Sequence, residues 1–224
     1  RIVYTELIRN EDGEATGWIG FTCPHWKHWK QYFFSEHRPQ SLNHPPAFLY
    51  NVCENLPKHV DTILIFGCGS GREFIPFNKK YNLVGVDIAP EEEISWVDNF
   101  SNFNYHACLI ENFFEYTDER NIFQDLSKTF IYAAGVLMYL KKEQQFMFYK
   151  KIKERGCKNI IFNEYLAAVA DKCRGLPSMA FGDSGLNLLH LVDDFILREL
   201  SGTKDCPITA HINVDIPLEK IMSF

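Results

Sequence analysis

Two rhythms of apolar and polar residues alternate along the middle of this chain. Short, nearly continuous apolar runs occur at Thr62–Phe66, Leu83–Val86, Thr129–Ala134 and Asn159–Phe162, with a weaker one at Phe103–Ala107. Each is the length of a strand. Because the runs do not alternate with polar residues, they predict strands buried on both faces, as in a parallel sheet. Between them lie stretches of helical character. "PEEEISWVDNF" follows the second run and "KKEQQFMFYKKIKE" precedes the fourth. In the latter, Phe146, Tyr149 and Lys150 set against Lys142, Glu143 and Gln144 predict one apolar and one polar side. Strands alternating with helices give a doubly wound α/β domain.

The two ends read differently. Before residue 60, "CPHWKHWKQYFFSEHRP" predicts an aromatic helix opening at Pro24, and "SLNHPPAFLYNVCENLP" a second helix held between prolines. The expected organisation is therefore an N-terminal helical extension or lid, residues 1–60, on a compact domain spanning 61–224. Near the C-terminus, "LNLLHLVDDFILREL" places Leu189, Val192, Phe195, Ile196 and Leu200 on one side of an amphipathic helix. "ITAHINVDI" and "EKIMSF" are expected to close the sheet as an antiparallel hairpin.

The chemistry is concentrated where the first strand ends. "ILIFGCGSG" runs straight into Gly67, Gly69 and Gly71. Glycine reaches positive φ cheaply and holds nothing away from the backbone. The turn predicts a bend that lets a ligand approach and offers it N–H groups, with a helix beginning near Gly71–Arg72 aimed at the same place. Asp87 stands twenty residues on from Gly67, closing the second strand. A carboxylate there accepts hydrogen bonds from a ribose diol. Turn and acid together predict a nucleoside-bearing cofactor beyond the strand ends.

A dinucleotide fingerprint needs glycine at the sixth position of the turn, where this chain has Arg72. That weighs against a nicotinamide-dependent oxidoreductase. "ILIFGCGSGREFIPFNKKYNLVGVDIAP" resembles instead the class I S-adenosylmethionine-dependent methyltransferases, and the likeness extends more loosely to "AAGVLMYL". The resemblance covers roughly residues 60–165. It implies a Rossmann-like, mostly parallel seven-stranded sheet. It also implies S-adenosylmethionine as cofactor, held by Gly67, Cys68, Gly69, Gly71, Asp87, Ile88, Leu109, Ile110, Glu111, Ala134 and Gly135. At the third strand the adenine contact falls to Glu111, to Asn112, or to backbone at Leu109 and Ile110. One departure stands out: the family carries an acid two residues before the first glycine, to hold the methionyl end, and this chain has Ile65.

Methyl transfer from a sulfonium needs alignment and exclusion of water more than it needs a catalytic side chain. A general base enters only when the acceptor must lose a proton. By the resemblance, the acceptor lies near the ends of the fourth and fifth strands, where Tyr139, Asn163, Glu164 and Tyr165 are candidates. Trp29, Tyr32, His37 and His44 are candidates for a lid. For each of these, ordinary packing is the competing reading. His106, inside an apolar strand, reads as a core histidine with a satisfied ring.

Charge and cysteine usage narrow the partners. Net charge is −6 and the basic residues are scattered, which argues for a small-molecule acceptor over nucleic acid. "AAGVLM" also lacks the Pro-Pro-aromatic motif that serves nucleobase amino groups. Seven cysteines without a C-x-x-C pair suit reduced thiols in a cytoplasmic protein. Cys23, His25 and His28 lack the second ligand pair of a zinc site, so no metal is expected. No apolar run is long enough to cross a bilayer, and no secretory leader is visible. The principal alternative to an enzyme is a non-catalytic module that keeps this fold as a binding surface, motivated by Ile65. Oligomeric state is not legible in the sequence.

Overall fold

A computed structural model describes residues 2–9, 15–23, 44–91, 94, 97–137, 140, 142–165, 196–203, 206–213 and 216. Its centre is a sheet of five parallel strands: β3 (Thr62–Phe66), β4 (Asn82–Asp87), β5 (Phe103–Ala107), β6 (Thr129–Ala134) and β7 (Asn159–Tyr165). Each apolar run expected as a strand is one. The spatial order is β5-β4-β3-β6-β7, and pairing continues antiparallel through β9 (Cys206–Asn213) to β8 (Ile196–Thr203). The chain therefore works outward from β3 to β5, then returns to the other side of β3 at β6. That reversal makes the carboxyl ends of β3 and β6 a topological switch point, where α/β sheets open a crevice for ligands.

Side chains alternate along each strand between two apolar layers. Ile63 and Ile65 of β3 join Leu83, Phe130, Tyr132 and Ile161 on one face. Helix α1 (Phe48–Asn55) covers that face with Phe48, Leu49, Val52 and Cys53. Leu64 and Phe66 join Val84, Ile131, Ala133 and Phe162 on the other. There α2 (Phe113–Glu119) and α3 (Lys142–Glu154) close the layer. Phe66 meets Phe113 and Phe148 edge-on, with ring centroids 4.8 and 4.9 Å apart.

Several expectations change. Two strands, β1 (Ile2–Arg9) and β2 (Ala15–Cys23), form an antiparallel pair of their own within the stretch expected to be a helical extension. The proline-flanked helix is α1, stopped where Leu56 turns extended ahead of Pro57. The aromatic helix opening at Pro24 lies outside the described residues. Ile196 and Leu200 sit on strand β8, not on a helix, while Leu189, Val192 and Phe195 lie outside the described residues. The hairpin partner of β9 is β8, and "EKIMSF" lies outside the described residues. After β4, Val97–Asn99 form a short 3-10 turn in the stretch expected to be a helix.

The buried face of α3 also differs. Gln145, Phe148, Tyr149 and Ile152 face inward, whereas Phe146 is 37% exposed. Lys150 is exposed as well and reaches toward Glu154. Gln145 is inside because its amide donates 3.1 Å hydrogen bonds to the carbonyls of Leu137 and Leu140. The helix stops at Gly156, whose φ of 85° lets the Gly156 and Cys157 amides turn back to the Lys153 and Ile152 carbonyls.

Candidate functional site

Parallel pairing places Gly67, Asp87, Cys108 and Gly135 along one edge of the sheet. Phe66 lies level with Val86 and Ala133, and Asp87 lies level with Ala107. The turn after β3 is left-handed at all three of its glycines, with φ of 66°, 47° and 71° at Gly67, Gly69 and Gly71. Their surroundings differ. A Cβ on Gly67 would stand 2.9 Å from Cβ of Val136, so this glycine lets the turns after β3 and β6 pack together. A Cβ on Gly69 would meet only the Gly67 carbonyl oxygen, at 3.9 Å, and one on Gly135 would meet nothing within 4 Å. These two present bare backbone to the open side of the switch point.

The glycine amides do not serve as the free donors that the sequence suggests. Gly67 donates to the Val86 carbonyl and Gly71 to that of Cys68, both at 2.8 Å. Gly69 donates to Oδ2 of Asp87, also at 2.8 Å. The segment beyond them is not an α-helix but a six-residue 3-10 stretch, Arg72–Phe77. Pro76 has no N–H to give and its ring crowds the preceding turn. The Cys53 thiol donates to the Pro76 carbonyl at 2.9 Å. What the turn contributes is therefore shape and a grip on Asp87, not a helix dipole.

Asp87 is held from three directions. Besides Gly69, the Ile88 amide donates to Oδ1 at 2.7 Å, and the Ala89 amide reaches the same oxygen at 3.4 Å. Burial pushes this carboxyl above its ordinary value, and the three amides pull it back. A carboxylate has about four acceptor positions, so the two short bonds leave capacity for a diol once the long 3.4 Å Ala89 contact gives way. Tyr105 of β5 donates at 2.7 Å to the Ala89 carbonyl and so anchors the loop behind the acid. The sequence reading missed Tyr105. Its only signal was an aromatic two places before the strand end, which reads equally well as packing.

The remaining candidates divide. Cys68 lies at the turn, but its side chain is buried, and burial together with the Asp87 and Glu73 charges pushes the thiol well up. Its backbone alone reaches the edge. Leu109 is exposed beyond β5, and Glu111 is exposed too. Ile110 points instead into the core beside Phe113. Ala134 ends β6 and is partly exposed. Asn163, Glu164 and Tyr165 ride on β7, level with and past the end of β6. His44 is exposed ahead of α1. Tyr139, Trp29, Tyr32 and His37 lie outside the described residues. His106 is half-buried, its Nδ1 3.1 Å from the Tyr116 hydroxyl, and burial holds its pKa down.

Ile65 is 1% exposed and packs in the core, so no acid stands at its position. The nearby buried carboxylate is Glu73, 8% exposed, paired with Arg72 Nε at 2.6 Å and close enough for its charge to act on Cys68. Cys53, Cys68, Cys108 and Cys157 carry free thiols. Among the described residues no cluster of three His, Cys, Asp or Glu side chains is arranged to hold a metal, and no helix is long and apolar enough to cross a membrane.

No family model matches the chain, and no curated protein matches it. Solved structures do. An S-adenosylmethionine-dependent methyltransferase from Anabaena variabilis ATCC 29413 aligns with a TM-score of 0.52 at 12% identity, over 88% of this chain and 96% of that one. The plantazolicin methyltransferase BamL, solved with a triazolic desmethylPZN analog and SAH, aligns with a TM-score of 0.52 at 12% identity, over 84% and 89%. The Burkholderia thailandensis 1,6-didemethyltoxoflavin-N1-methyltransferase aligns with a TM-score of 0.50 at 11% identity, over 95% and 96%. At such identities the likeness is one of fold.

Proposed function

We propose that this chain, which has the fold of the class I S-adenosylmethionine-dependent methyltransferases, transfers a methyl group from S-adenosylmethionine to a small molecule. One observation carries the reading: the Gly69 amide donates to the Asp87 carboxylate, so the bare turn of β3 and the acid of β4 form a single unit at the switch point. The residues suit an adenosyl ligand. Asp87 has acceptor capacity for the ribose hydroxyls, Gly69 and Gly135 leave room for close approach, and the Leu109–Glu111 backbone, which follows β5 next to the strand of Asp87, is our candidate for the adenine contact. When bound, the cofactor supplies a methyl group already activated by its sulfonium charge. The chain's own part is to orient the reactants and keep water out.

Glu73 is the residue we assign to the duty that Ile65 cannot perform, accepting from the methionyl amine. Glu164, Tyr165 and Tyr139 are the candidates to receive an acceptor's proton. We also propose residues 1–60 as an extension to a cofactor-binding part spanning 61–224, a seven-stranded sheet, and a cytoplasmic protein whose partner is a metabolite and not nucleic acid.

Calorimetric titration with S-adenosylhomocysteine is the direct test. Binding by the wild-type chain, lost in Asp87→Ala and weakened in Glu73→Gln, is the expected result; no heat in the wild type overturns the reading. The buried Ile65 favours a second reading, a module that keeps the fold without turnover. Methyl transfer to any member of a metabolite panel eliminates it.

A further inference from the structure

Tyr105 stands behind the loop that grips Asp87 and does not itself reach the carboxylate. It lies level with Gly85 of β4, over which a Cβ would stand 2.9 Å from both Cys68 Sγ and the Phe103 ring. The phenol is largely enclosed, and burial, with the charges of Cys68, Asp87, Cys108 and Glu91 adding to it, keeps its proton on at any physiological pH. It is thus a permanent donor, and its 2.7 Å bond goes to the Ala89 carbonyl. Ala89 and Ile88 are the residues whose amides grip Oδ1 of Asp87. The links run in series from hydroxyl to loop, from loop amides to carboxylate, and from carboxylate to the Gly69 amide of the neighbouring turn.

A carboxylate that must accept two hydroxyls at fixed spacing gains selectivity only if it cannot swivel. We propose that Tyr105 is a positioning residue that locks the Asp87 carboxylate and thereby sets how strongly the site prefers a ribose diol over a deoxyribose, an inference that rests on the adenosyl reading above. Phenylalanine at 105 keeps the ring and its packing and removes only the donor.

The experiment compares affinities of wild type and Tyr105→Phe for S-adenosylhomocysteine and for its 2′-deoxy analogue. Hydrogen bonds to a charged group support a wild-type preference for the ribose form of about tenfold or more. In Tyr105→Phe that preference is expected to fall by about threefold or more, the loss falling mainly on the ribose ligand. A variant that is merely less folded weakens both ligands by one common factor and leaves the ratio intact. An unchanged ratio therefore overturns the inference. Hydrogen exchange on the ligand-free chain separates this failure from failure of the adenosyl reading. Faster exchange at the Gly69 and Ile88 amides in Tyr105→Phe, with no binding by wild type, supports the positioning role and overturns the adenosyl reading; unaltered exchange there overturns the positioning role whatever the ligands do.

Discussion

Gly67 and Gly135 share a left-handed backbone and differ in what surrounds them. An alanine at either pays the left-handed penalty of about 1–2 kcal/mol. At Gly67 it must also displace Val136, which adds overpacking of about 1–3 kcal/mol. Urea denaturation is expected to show Gly67→Ala losing about 2–5 kcal/mol and Gly135→Ala about 1–2 kcal/mol. Equal losses would mean that the two turns do not press together. Asp87 makes a pH prediction. Its carboxyl is raised in the folded chain, so the native state holds that proton more tightly than the unfolded state. The ligand-free fold therefore loses stability as pH climbs from the ordinary value of 3.8 through the raised one, and Asp87→Asn flattens that slope. Affinity for S-adenosylhomocysteine runs the opposite way, since only the carboxylate accepts both hydroxyls. It should decline on acidification from a higher pH than an ordinary aspartate would give, as followed by calorimetry across the acid range. The glycines and Asp87 were legible from sequence because their types and spacing are constrained by the turn itself. That the glycine amides are already engaged, and that Tyr105 stands behind the acid, depends on atoms brought together from separate strands.

Helix α3 shows why an element's existence is easier to read than its orientation. Its charged and apolar residues predict a helix, and of the apolar side expected at Phe146, Tyr149 and Lys150 only Tyr149 turns inward, beside Gln145, Phe148 and Ile152. Gln145, to which the sequence pattern assigns no side, is buried because its amide satisfies the carbonyls of Leu137 and Leu140. Gln145→Leu leaves both carbonyls to find other donors and is expected to cost about 1–3 kcal/mol of unfolding free energy. The same variant should speed hydrogen exchange at Leu137 and Leu140; unchanged exchange there would show that the amide does not brace them. The place after the turn likewise predicts a helix, whereas Arg72–Phe77 is a 3-10 stretch that contains Pro76, a residue that cannot give an α-helical hydrogen bond. Strand β8 took Ile196 and Leu200 out of an apparent amphipathic helix, because pairing with β9 outweighs a weak local preference.

Across the molecule, both faces of the parallel sheet are covered, and the order of its parallel strands reverses at β3 and β6. A ligand bound only by the native arrangement of that edge stabilises the whole cooperative unit. S-adenosylhomocysteine at about a hundred times its Kd should add about 2.7 kcal/mol. That corresponds to a rise in Tm of roughly 5–10 °C for a chain of this size. NAD should add none, and a shift with NAD in place of the adenosyl ligand would restore the oxidoreductase reading. The amino-acid sequence alone determined five strands, the two-sided burial of β3, β4 and β6 but not of the outer β5, whose residues are all partly or fully exposed, the glycine turn and the acid that follows it, because each depends on residues adjacent in the chain or on a short repeat. Tertiary structure alone decided which side of α3 turns inward, which amides hold Asp87, and that Glu73, not residue 65, supplies a buried carboxylate beside the turn. The Gly69–Asp87 bond joins two turns eighteen residues apart, and even the short-range bonds of Asp87 and Gln145 depend on how their loops are held against the sheet. Hydrogen-bond geometry selects among partners that composition leaves equivalent, and it acts only once the layers have packed.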